Sequence, residues 1–105
     1  MIPRGLALLA ALLCSAATVE AADVSAGRDL TKQWCAECHD VGPGSRISPN
    51  PSAPTFSELA ALPGFTEMSV RAMLRNEHLT MPPIRFTSEQ MDDIVAYLVS
   101  LKPAR

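Results

Sequence analysis

Five consecutive residues, Cys35-Ala36-Glu37-Cys38-His39, carry the strongest chemical signal in the sequence. On a helical turn, two thiols separated by two residues project to neighbouring positions, and the histidine after them turns its imidazole the same way. This is the Cys-x-x-Cys-His arrangement of covalent haem attachment: the thiols add across the two vinyl groups and the imidazole takes one axial position of the iron. A redox-active dithiol is a competing reading, but it belongs with alternating strands and helices. No alternating run with turn punctuation marks a strand here. A structural zinc site would need four ligands, and beside one cysteine pair the only imidazoles are His39 and His78.

The iron's other axial position decides between two kinds of chemistry. Filled, it makes an electron carrier; open, it makes a haem that binds gases or reduces peroxide. Candidates to fill it are Met68, Met73, Met81, Met91 and His78. Met68, Met73 and Met91 fall in helical patterns, where methionine ordinarily fills core space. His78 reads as a solvent-facing residue at a helix end. Met81 differs, because it stands in Leu79-Thr80-Met81-Pro82-Pro83 between two helical patterns. Consecutive prolines hold that backbone extended and keep a helix from absorbing the side chain. Cys35, Cys38, His39 and Met81 are therefore the expected cofactor-binding residues, with His39 and Met81 on the iron of one covalent haem c.

Three helices are expected to position these groups. The first runs from about Asp23 to Cys38, with Gly27, Leu30, Thr31 and Trp34 on one stripe and Asp23 or Ser25 as its cap. The second runs from Thr66 to about Glu77, after the breaker pair Pro63-Gly64, with Val70, Met73 and Leu74 at helical spacing. The last starts at a capping box, Thr87 and Gln90, flanked by a staple of Phe86 and Met91. It carries Met91, Ile94, Val95, Leu98 and Leu101 on one face and stops at Pro103. A further helical turn is expected at Ser57 to Leu62. Val41 to Pro54 holds two glycines and four prolines and few large apolar residues, the composition of a long loop that wraps something. Leu30, Trp34, Phe56, Leu59, Val70, Leu74, Phe86 and Leu98 are the expected pocket and core.

The N-terminal stretch has a different purpose. Arg4 is followed by an apolar run from Leu6 to Leu13, then small residues, then Val19-Glu20-Ala21. That is the grammar of a cleaved secretory signal, too short for an ordinary transmembrane helix. Residues 1–21 are the expected signal peptide and 22–105 a single domain, in the periplasm after export. Contact with a membrane is expected only if the N-terminal segment is retained. Removal also discards Cys14, which follows the bulky Leu13 rather than the small residue a lipid-attachment site needs, and leaves Cys35 and Cys38 as the only thiols. The roughly 84 remaining residues are few enough that a large apolar cofactor would help complete the core. With 9 Lys and Arg against 11 Asp and Glu, and no basic cluster, the chain is not built to track nucleic acid.

With these motifs assembled, the chain resembles the small bacterial class I cytochromes c over nearly the whole region after the signal. Gly27, eight residues before Cys35, matches the glycine at which the family's first and last helices cross. Tyr97 matches the aromatic residue packed on that crossing. Asn50-Pro51-Ser52-Ala53-Pro54-Thr55-Phe56 is similar to the proline-rich stretch after the haem motif, and Met81-Pro82 to the distal ligand segment. The resemblance implies an all-α cytochrome c fold, three main helices with long haem-wrapping loops, and one low-spin haem with His39 and Met81 as axial ligands. It also implies that a loop proline carbonyl, of Pro54 or Pro49, accepts the Nδ1 proton of His39. Thr31 departs from the pattern: many relatives carry an aromatic residue there, and Trp34 is the expected substitute. The function so implied is that of a non-enzymatic, monomeric carrier exchanging single electrons with dehydrogenase- or oxidase-type protein partners, without a small-molecule substrate. Its rivals are a haem enzyme or gas or peroxide sensor with an open sixth position, and a cytochrome subunit of a larger oxidoreductase.

Overall fold

The computed structural model describes residues 21–44, 46–76 and 81–104. Nearly all of the expected signal peptide, and His78, lie outside the described residues. Among those residues the regular structure is helical throughout: α1 (Val24–Trp34), α2 (Phe56–Ala60), α3 (Glu67–Arg75) and α4 (Ser88–Ser100). None of these helices is long and apolar enough to cross a membrane.

Local sequence sets each helix start. Asp23 caps α1, its carboxylate accepting the Ala26 N–H at 3.1 Å, which decides between the two candidate caps. Full capping boxes open the other three helices, at Thr55 and Glu58, Thr66 and Ser69, and Thr87 and Gln90. Each cap satisfies donors that would otherwise be orphaned in the first turn, a contribution of about 1 kcal/mol. The box at Thr55 makes the turn expected at Ser57 to Leu62 a defined helix, Phe56–Ala60.

The core forms where α1 crosses α4. Ile94 and Val95 of α4 and Val70 of α3 are almost completely buried, each worth about 1.5–3 kcal/mol in apolar transfer. The crossing is close enough to demand glycine. A Cβ on Gly27 would overlap the Asp93 carbonyl and come within 2.9 Å of Tyr97 Cβ. Polar contacts fix the same approach, because the Asp23 N–H donates to Asp93 Oδ1 at 2.8 Å. On the other side of α4, Arg71 pairs with Asp92 at 2.8 Å, and Lys102 Nζ donates to the Phe65 carbonyl at 2.7 Å.

One expectation for α1 is corrected. Regular helix ends at Trp34, short of Cys38, because the amides of Cys38 and His39 both bond to the Cys35 carbonyl and tighten the chain into a turn. Where relatives carry an aromatic residue, Thr31 is fully buried and turns its hydroxyl back to the Arg28 carbonyl at 2.9 Å.

Candidate functional site

The turn after α1 and the long loop that follows form one hydrogen-bonded unit. The Asn50 N–H returns to the Cys38 carbonyl at 3.1 Å, and the Phe56 N–H to the Asp40 carbonyl at 2.9 Å. Ser48, buried in the loop, receives the Asp40 N–H at 3.0 Å. The Tyr97 hydroxyl of α4 donates to the Val41 carbonyl, so the helix crossing and the loop share an anchor. Burial raises the pKa of that phenol; Arg28 acts to lower it and Asp40 to raise it.

His39 is oriented by this unit. Its Nδ1 lies 2.7 Å from the Pro54 carbonyl oxygen, and of the two candidate prolines it is therefore Pro54, not Pro49, that meets it. A carbonyl can only accept, so Nδ1 carries the hydrogen, which leaves Nε2 as the ring nitrogen open to a metal. The Phe56 ring packs beside the imidazole, centroids 5.4 Å apart and planes tilted by 47°.

Cys35, Cys38, His39 and Met81 all line one cavity of about 370 Å³. Six of the eight expected pocket and core residues line it as well: Trp34, Phe56, Leu59, Leu74, Phe86 and Leu98. Leu30 and Val70 belong to the packing behind it. Met73, expected as core filling, and Ile84 and Ile94 complete the apolar wall. Ile94 was legible as part of the α4 stripe; Ile84, in a non-helical segment, had no periodic signal. Among the described lining residues Glu37 is the sole acid. Cys35 is buried, which pushes its thiol up to about 11 and keeps it neutral, whereas Cys38 is exposed. Two thiols, an imidazole oriented by a carbonyl and a thioether around a mostly apolar cavity fit a haem.

Comparison with known proteins agrees with that fit. Residues 22–98 match the family described as cytochrome C oxidase, cbb3-type, subunit III. The chain belongs to this family of c-type cytochrome domains: it is a small monohaem electron-transfer protein with covalently bound haem c and its iron. Among curated proteins it is similar to cytochrome c-552 of Bradyrhizobium diazoefficiens, 35 % identical over 100 residues, which span 95 % of each chain. No solved structure matches. The all-α cytochrome c fold is thereby established. Redox proteins are its partners in general terms, and proteins of this kind are typically exported.

Proposed function

We propose that Cys35 and Cys38 bind the haem by thioethers, that His39 and Met81 are the axial ligands, and that the protein is a periplasmic carrier of single electrons. In forming each thioether, the sulfur adds to one vinyl carbon and its hydrogen to the other, so no group leaves and no oxidant is consumed. When bound, the haem supplies an iron whose ferric state accepts one electron and whose ferrous state donates it. The observation that carries this reading is the His39–Pro54 hydrogen bond, at 2.7 Å, in a cavity that Met81 also lines. Pro54 orients the imidazole and makes Nε2 more basic. The apolar wall excludes water, and a thioether from Met81 favours ferrous iron, so a relatively high reduction potential follows. Export rests on the signal pattern of residues 1–21, whose removal leaves 22–105 as the working domain.

Far-red absorption of the oxidised holoprotein tests the ligand set. The wild type is expected to have a sulfur-to-iron charge-transfer band that Met81→Ala abolishes. A band that survives moves the ligand to another methionine. Absence of the band in both proteins, with high-spin iron and rapid peroxide turnover or tight carbon monoxide binding, overturns the carrier reading in favour of an open-site enzyme or sensor. Mass spectrometry of the exported protein is expected to find a chain starting at or next to Ala22; Met1 on the mature chain establishes a retained anchor. Elution of the native protein on its own in gel filtration separates a free carrier from a permanent oxidoreductase subunit.

A further inference from the structure

A second cavity, of about 440 Å³, is also lined by the segment that carries Met81. Leu74, Met81, Pro82, Ile84 and Phe86 line both cavities, so the segment is a wall between an apolar interior and a more polar cleft. Two arginines face the cleft from different elements: Arg75 from the last turn of α3, and Arg85 from the segment itself. Neither makes an ion pair among the described residues, although Arg71, one turn earlier, pairs with Asp92. No described lining residue is acidic, in a chain whose formal net charge is −2.

The start of α4 adds donors at the same place. Thr87 and Ser88 line the cleft. The capping box takes up the amides of Thr87 and Gln90, which leaves the amide of Ser88, at the cleft, without a partner among the described residues; Glu89, the acid of this first turn, does not line the cleft. Two planar guanidinium forks and an open helix start, gathered round one cavity, match the oxygens of a carboxylate or phosphate group.

We infer that this cleft is a binding site for a small polyvalent oxyanion, held between Arg75 and Arg85. Because the two arginines sit on separate elements, the bound anion ties the Met81–Phe86 segment to α3, a connection that no hydrogen bond provides among the described residues. The site does not depend on which residue fills the sixth position of the iron.

The test is a titration of the holoprotein with pyrophosphate and with citrate at constant ionic strength, followed by calorimetry and by backbone amide shifts. One saturable site is expected, with the largest shifts at Arg75, Arg85 and Ser88. Binding of pyrophosphate alone, or of citrate alone, identifies a phosphate or a carboxylate source; binding of both assigns the site to the shared oxyanion chemistry. Arg75→Gln and Arg85→Gln are each expected to weaken binding about tenfold, as loss of a charge-assisted hydrogen bond does. Lys32→Gln, an exposed cation on α1, is the control and should leave affinity unchanged. Circular dichroism checks that each variant folds. Failure of both anions to saturate, unaltered binding in both arginine variants, or an equal loss in Lys32→Gln overturns the inference.

Discussion

The two faces of the haem cavity are built by different physical means. On the His39 side, the chain from Cys35 to Phe56 is bound to itself and to α4 by backbone and side-chain hydrogen bonds, including those at Asp40, Asn50, Val41 and Pro54. On the Met81 side, residues 81–86 make no hydrogen bond among the described residues, and their order comes from two prolines and from Ile84 and Phe86 packing inward. One face is therefore fixed by the protein's own hydrogen bonds. The other is held by chain stiffness and apolar contact, so a ligand bond from Met81 would itself supply much of its restraint.

That contrast can be broken by substitutions that should differ in size. Gly27→Val attacks the crossing that supports the His39 face. With the Asp93 carbonyl already inside the space a Cβ needs, we expect a loss of at least about 3 kcal/mol in urea unfolding and a lower yield of folded holoprotein. Near-wild-type stability would mean the crossing opens cheaply. Tyr97→Phe leaves the Val41 carbonyl without its donor, and the unfolding midpoint should record about 1–3 kcal/mol. Ser48→Ala removes the acceptor of the Asp40 N–H; about 1 kcal/mol is expected, with faster hydrogen exchange confined to the loop.

The Met81 face should respond the other way. Pro83→Ala is expected to change stability by less than about 0.5 kcal/mol, because the position is exposed and its effect falls on the unfolded chain as much as the folded one. With Met81 as the proposed sixth ligand, the substitution should nevertheless speed its displacement by added imidazole, measured from the decay of the far-red band. A stability loss as large as that of Tyr97→Phe, or an unchanged displacement rate, would remove the distinction between the faces.

Much of this was legible from spacing. Cys35, Cys38 and His39 announce their chemistry by adjacency, and Thr87 with Gln90 announces the start of α4, because both signals act within one helical turn. The box at Thr55 and Glu58, which starts α2, is written in the same local code. Thr31 can be fully buried only because its hydroxyl is satisfied by its own helix at the Arg28 carbonyl.

The sequence by itself determined the cofactor class, the helices and the glycine at their crossing, since each depends on residue types a few positions apart. Tertiary structure decided what rests on distant meetings: that Pro54 rather than Pro49 receives His39, that Tyr97 secures Val41 across 56 positions, and that Arg75 and Arg85 share one cleft. The physical reason is range. Caps and periodic faces are local in the chain, whereas the partner of a loop carbonyl, or of a lone cation, is chosen only when the helices pack.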